Sequence, residues 1–166
     1  MNHDIWTTYE SPLGTLRLTA GDRGITGIHF PGRPAAGDRA ACRPGAFVEL
    51  IAQLDEYFAG ARQNFEVPVD LSSGTAFQRA VWEQLTTIPY GETVSYGDLA
   101  RRIGRVDRVR AVGGAVGRTP VPIVVPCHRV IGSDGRLVGY GGGLERKRAL
   151  LDLEAATAQR GQLVLA

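Results

Sequence analysis

The sequence predicts an α+β protein: a small N-terminal antiparallel β-sheet with one helix, then a mostly helical C-terminal part holding a helix-turn-helix. Three observations predict it. Short β-rich runs divided by Gly, Pro and Asp turns fill the first third, an apolar stripe at helical spacing follows, and beyond Ser73 paired start and stop signals mark short helices in succession. At 166 residues, 43% hydrophobic and 22% charged, the chain is large enough for one domain with a good core or two small ones sharing an interface. The change in pattern places a boundary between residues 1–72, an N-terminal α/β domain, and residues 73–166.

Each element has its own signal. IWTTYESPLG, TLRLTAGDRG and ITGIHF read as three strands, and NFEVPVDL as one more. Between them AFVELIAQLDEYFAG carries Phe47, Leu50, Ile51, Leu54 and Phe58 at helical spacing, with Gly60 as its stop. Thr75 can cap AFQRAVWEQL, whose stripe is Phe77, Val81 and Leu85. IPYGE then breaks the chain. Ser95 followed by Asp98 fits a capping box for YGDLARRIG, Gly104 ends that helix, and Asp107 can cap RVRAVGGAVGR. Two short helices across a turn of a few residues have the spacing of a helix-turn-helix.

Charge is unevenly spread. From Ser73 onward thirteen Arg and Lys stand against eight Asp and Glu, net +5, whereas the part before it has six against nine, net −3. Arg101, Arg102, Arg105, Arg108, Arg110 and Arg118 face a single acid, Asp107, over their span, an excess that attracts polyanions unless it is only a solvated helix face. No apolar run reaches bilayer length and MNHDIWTTYE lacks a secretory pattern, which predicts a cytoplasmic protein without membrane partners. Cys42 and Cys127 lie in unlike contexts, so a disulfide framework and a structural zinc site are both disfavoured. Cys42, in the loop-like PGRPAAGDRAACRPG, reads as incidental.

Two segments carry chemistry. In RAVGGAVG, Gly113 and Gly114 each cost a helix roughly 1 kcal/mol relative to alanine. Either the helix packs tightly on a neighbour, or its bare face lies in a narrow groove flanked by arginines that reach phosphates. In VPIVVPCHRVIG, Pro122 and Pro126 bar a helix and stiffen the approach to Cys127, so VPIVVP reads as a buried strand or extended segment. A thiolate is the nucleophilic form of cysteine, and His128 or Arg129 could favour it, although adjacent side chains on an extended segment diverge.

PCHRV, preceded by FQRAVWEQLTTIPYGETVSYGDLA and RVRAVGGAVGRTPVPIVV and followed by IGSDGRLVGYGGGLERKRALLDLE, strongly resembles the O6-alkylguanine-DNA alkyltransferases. The match runs from about Gly74 to Glu154; the first third resembles the family only in size and β-then-α order. The resemblance implies direct-reversal DNA repair on double-stranded DNA containing O6-alkylguanine. Cys127 would be the alkyl acceptor, His128 the base acting through water, Glu154 its orienting partner, and Tyr96 the donor to guanine N3. Arg110 would enter the base stack as the target nucleotide flips out. Ala111, Gly113, Gly114, Arg101, Arg102, Thr93 and Ser95 would complete the DNA face, and Pro122, Val130, Tyr140 and Gly141 the substrate pocket, with GYGGGLERK as a flexible wall. No cofactor and no metal are implied, and the protein would act as a monomer, with cooperative binding on DNA left open.

Departures from the family pattern carry expectations of their own. Thr119 stands where the family usually has a hinge asparagine, which predicts weaker bracing of the acceptor loop. Gly141 replaces a common serine or alanine, removing a side-chain contact to guanine O6. The metal-binding cysteines of some members' N-terminal domains have no counterpart. A cysteine hydrolase would use the same Cys127, His128 and Glu154 but needs an oxyanion hole that nothing here identifies. A non-catalytic lesion-binding module would lack the acceptor cysteine.

Overall fold

The computed structural model describes residues 4–32 and 41–165. They pack as two compact units, one of residues 1–73 with Pro120–Val124, the other of residues 74–119 with 125–166. The architecture is α+β. In the first unit, β1 (Ile5–Ser11), β2 (Gly14–Gly21) and β3 (Gly24–His29) form an antiparallel meander, and the two-residue β4 (Ala41–Cys42) adds in parallel to β1, giving the order β3-β2-β1-β4. Cys42, read as a loop residue, therefore lies on an edge strand, exposed, with Arg43 N–H donating to Trp6 O at 2.9 Å. Residues 33–40 of the segment that carries it lie outside the described residues.

Alternation in the strands decides which face is buried. Tyr9, Leu16, Leu18, Ile25 and Ile28 turn inward against α1 (Val48–Phe58), which presents Leu50, Leu54 and Tyr57. Tyr57 takes the buried place expected of Phe58, and the Tyr9 hydroxyl donates to Asp55 at 2.6 Å, tying the sheet to the helix.

NFEVPVDL forms no strand; only Val69 bridges Ile25. Proline at 68 removes a ladder donor, and the buried Gln53 amide instead satisfies the Glu66 backbone, accepting from its N–H at 2.8 Å and donating to its carbonyl at 3.4 Å.

In the second unit α2 (Ala76–Leu85) opens with a full capping box between Thr75 and Gln78. Its inward face is Val81, Trp82 and Leu85, and the Trp82 indole N–H donates to Ala115 O at 2.8 Å. β5 (Val94–Ser95) leads into α3 (Tyr96–Arg102), where Ser95 Oγ accepts from Asp98 N–H at 3.0 Å. The Asp98 carboxylate pairs with Arg101, which holds it below the usual carboxylate range.

α3 ends in a Schellman motif: Gly104 sits at φ 72°, and the Arg105 and Gly104 N–H groups return to Ala100 O at 2.8 Å and Arg101 O at 3.1 Å. A 3-10 turn, Val106–Arg108, then precedes α4 (Val109–Gly117). Asp107 lies inside that turn and does not cap α4; Arg108 holds the cap position without a side-chain hydrogen bond.

A two-stranded sheet in the second unit matters most for the site. β6 (Val130–Ile131) pairs in parallel with β5, setting Val94 beside Val130 and Ser95 beside Ile131. The chain thus brings the start of α3 next to the end of the PCHRV segment. α5 (Leu144–Leu165) closes the unit. Among the described residues, no helix is long and apolar enough to cross a membrane.

Candidate active site

The approach to Cys127 is buried as expected but is a turn, not a strand. Pro120, Pro122 and Pro126 lack N–H donors, so no ladder can form, and Ile123 takes φ 74°, a left-handed conformation that strains a β-branched residue by roughly 1–3 kcal/mol. Val121 and Ile123 are buried in the first unit, where Pro122 also belongs. Cys127, His128 and Arg129 then form one 3-10 turn, with all three side chains buried. A helical turn spreads successive side chains around its axis, and here both Cys127 and His128 are buried by the elements packed on them.

α5 supplies that packing. Its inward positions are Lys147, Leu150, Glu154 and Thr157, spaced at three and four residues. Glu154 accepts from His128 Nε2 at 2.7 Å and from Arg129 Nε and Nη2 at 2.8 and 3.0 Å, and the Gly91 N–H lies 3.4 Å from its Oε1. Gly91, at φ 79°, lets IPYGE turn closely against α5; a Cβ there would meet Ala158 Cβ at 3.1 Å.

Burial works against the Glu154 charge, but hydrogen bonds from His128 and Arg129 outweigh it and hold the carboxyl at about 2. Burial lowers the His128 pKa, and Glu154 opposes this only in part. The resting pair is therefore a carboxylate and a neutral imidazole. An ionised carboxylate only accepts, so the imidazole proton is on Nε2 and Nδ1 carries the lone pair.

The thiol itself is 4% exposed. Burial pushes its pKa up to about 11, against the lowering effects of Thr119, Lys147 and Tyr140. At rest Cys127 is a protected neutral thiol. Tyr96 stands over the same site: its hydroxyl donates to Val138 O at 3.0 Å, and burial followed by the Cys127 charge raises its pKa. Lys147 Nζ donates to Val138 O and Gly139 O at 3.2 and 3.3 Å, lies 5.7 Å from the Tyr96 ring centre, and is lowered by burial to about 8.

The predicted site residues fall into two groups. Cys127, His128, Glu154 and Val130 are buried in the second unit, whereas Tyr96, Tyr140 and Thr119 of the same unit are half-buried, and Thr119 donates its hydroxyl to Val116 O at 2.7 Å. Gly141 is partly buried in the turn before α5. The wall expected over GYGGGLERK is shorter than the motif, because α5 begins at Leu144 and Lys147 N–H already bonds Gly143 O.

The second group lies outside. Arg101, Arg102, Arg110, Ala111, Gly114 and Thr93 are exposed, while Ser95 is half-buried by its cap. A Cβ on Gly114 would meet nothing within 4 Å, and one on Gly113 only the Tyr96 ring at 3.7 Å, so internal packing explains neither.

The profile of the 6-O-methylguanine DNA methyltransferase DNA-binding domain matches residues 76–156, and that of the same enzymes' ribonuclease-like domain matches residues 5–71. The chain belongs to the 6-O-methylguanine DNA methyltransferase family. The methylated-DNA–protein-cysteine methyltransferase of Mycobacterium bovis is 48% identical over 155 residues, 92% of this chain and 93% of its own length. That of Methanosarcina acetivorans is 40% identical over 91% and 98%. The crystal structure of Mycobacterium tuberculosis OGT in complex with DNA superposes with a TM-score of 0.86 at 48% identity, covering 92% of this chain and 94% of that one.

Within this methyltransferase, two buried residues escaped the sequence reading of the site. Arg129 entered it only as a possible neighbour of the thiol, whereas its guanidinium clamps Glu154. Lys147 did not enter it at all, because the inward stripe of α5 is half polar and shows no apolar periodicity.

Proposed function

We propose that this chain repairs O6-alkylguanine in double-stranded DNA by moving the alkyl group onto its own Cys127, once per molecule. The observation that carries the proposal is a buried Cys127 thiol next in the chain to a neutral His128 that is paired with an ionised Glu154, with Tyr96 near enough to feel the Cys127 charge. His128 Nδ1, buried and without a hydrogen bond among the described residues, takes the thiol proton through water. Sγ bonds the alkyl carbon as its bond to O6 breaks, and Tyr96 protonates the departing ring at N3. The product is a thioether, which has no route back to thiol, so the protein is spent.

A base inside a duplex cannot reach a buried thiol, so the nucleotide must leave the stack at a cost of a few kcal/mol. The exposed arginines and the bare α4 face support minor-groove docking, with Arg110 filling the gap. We assign DNA binding and alkyl acceptance to residues 73–166, and take the protein to work as a cytoplasmic monomer. The direct test is intact mass after incubation with a duplex containing O6-methylguanine: one methyl is gained, on the Cys127 peptide, and no more under excess lesion. Repeated turnover or a methyl elsewhere overturns it.

Arg110 has a separate expected signature. Arg110→Ala slows transfer from a stably paired duplex much more than from a single strand or from free O6-benzylguanine, because only the duplex must unstack. Arg101→Ala and Arg102→Ala instead lower affinity and reduce the salt slope by about one unit each, with the rate at saturating DNA unchanged. Equal slowing of all three substrates by Arg110→Ala removes the finger role.

A further inference from the structure

We propose that Arg129 is a positioning residue for the transfer reaction: its bidentate clamp on Glu154 keeps His128 a neutral base with its lone pair on Nδ1. The proposal deepens the reading of the site given above and rests on it. Arg129 is 6% exposed, yet all three faces of its guanidinium are used. Nε and Nη2 take the two oxygens of Glu154, and Nη1 donates to Ile88 O at 2.7 Å. Its Cζ lies 5.5 Å from the centre of the Tyr90 ring.

Glu154 Oε2 is shared: His128 Nε2 reaches it at 2.7 Å and Arg129 Nη2 at 3.0 Å. With Arg129 present the carboxylate is already neutralised, and a proton added to His128 would bury an uncompensated positive charge. Without Arg129 the same proton would restore neutrality as an imidazolium–carboxylate pair. His128 would then rest protonated and could take nothing from the thiol. The charged groups acting on His128 are Glu154 and Lys147 from α5 and Arg129 from its own turn; α2 turns the apolar Val81, Trp82 and Leu85 inward.

Arginine suits the role because it stays charged under all working conditions and its fork matches both carboxylate oxygens at once. The same clamp fixes the tautomer. Since Glu154 is anionic it can only accept, so Nε2 is the protonated nitrogen and Nδ1 is left as the base.

The test is nitrogen-detected NMR of the His128 ring in the full-length protein, with the transfer rate measured in parallel. In the wild type Nδ1 shows the shift of an unprotonated nitrogen and Nε2 that of an N–H, and the ring stays neutral through the pH range in which an ordinary histidine takes up its proton. In Arg129→Gln the ring is protonated at neutral pH, and the transfer rate rises toward alkaline pH; each unit by which the His128 pKa exceeds the assay pH removes about tenfold of the neutral base. Arg129→Lys, which restores the charge but not the fork, moves His128 back toward neutral and recovers part of the rate.

If Arg129→Gln fails to fold, the wild-type spectrum still decides, because a His128 that titrates at its ordinary value overturns the proposal. So does a His128 that stays neutral in Arg129→Gln, whatever happens to the rate, since a merely structural role predicts that result. Failure of the wild type to accept a methyl group at all would instead overturn the function proposed above, and would leave the ring spectra unchanged.

Discussion

Cys127→Ser abolishes alkyl acceptance completely, whereas Cys42→Ser leaves it intact. Burial already pushes the Cys127 thiol up to about 11, so even this acid is hard to ionise at rest. A serine hydroxyl in the same place is a far weaker acid and a poorer nucleophile, and neutral His128 cannot make up the difference. The substitution alters one buried atom and leaves the α4 surface untouched, so duplex binding persists. Cys42 lies exposed on a strand paired with β1, in the first unit. The measurement is transfer of a labelled methyl from duplex DNA, followed by peptide mapping. Label retained in Cys127→Ser, or lost in Cys42→Ser, contradicts the assignment.

Glu154→Gln produces the next largest effect, in stability and in rate together. The carboxylate is 1% exposed and balances the Arg129 guanidinium; removing it leaves a buried cation with a neutral partner, a loss of about 3–5 kcal/mol for a broken buried pair. The urea midpoint falls accordingly. Transfer slows, and the apparent pKa for alkylation of Cys127 rises, because His128 loses the anion that supports its cationic form.

The wild type also carries a signature in acid. A carboxyl held at about 2 in the folded protein, below its ordinary 4.5, contributes stability that is full above 4.5 and is lost as pH falls toward 2. Glu154→Gln lacks that acid-dependent loss. Identical acid-unfolding slopes for the two proteins, or an unchanged alkylation pKa, would remove Glu154 from the relay.

Much of this was legible because the signals are local. Thr75, Ser95 and Gly104 mark helix ends through backbone groups within a few residues of themselves, and the strand alternation from Ile5 to Ile28 needs no distant partner to be seen. The misreadings are local competitions resolved elsewhere in the fold. NFEVPVDL has strand composition, but the Gln53 amide from α1 takes the Glu66 backbone that a ladder would have used. Asp107 has the chemistry of a cap, but the chain enters α4 through a 3-10 turn that places Arg108 there instead.

The sequence alone determined that Cys127 and His128 are adjacent, that prolines stiffen the approach to them, and that the basic residues gather around a glycine-rich helix. These are properties of order along the chain. Only the tertiary structure decided the state of the thiol, the proton position on His128 and the use of Arg129 and Lys147, because each depends on which groups share a low-dielectric interior. Cys127 lies twenty-seven residues from Glu154, and the face of α5 that brings Glu154 to His128 also brings Lys147 to the Val138 and Gly139 carbonyls. Desolvation and charge pairing act through space, and their balance sets the protonation states on which the proposed chemistry depends.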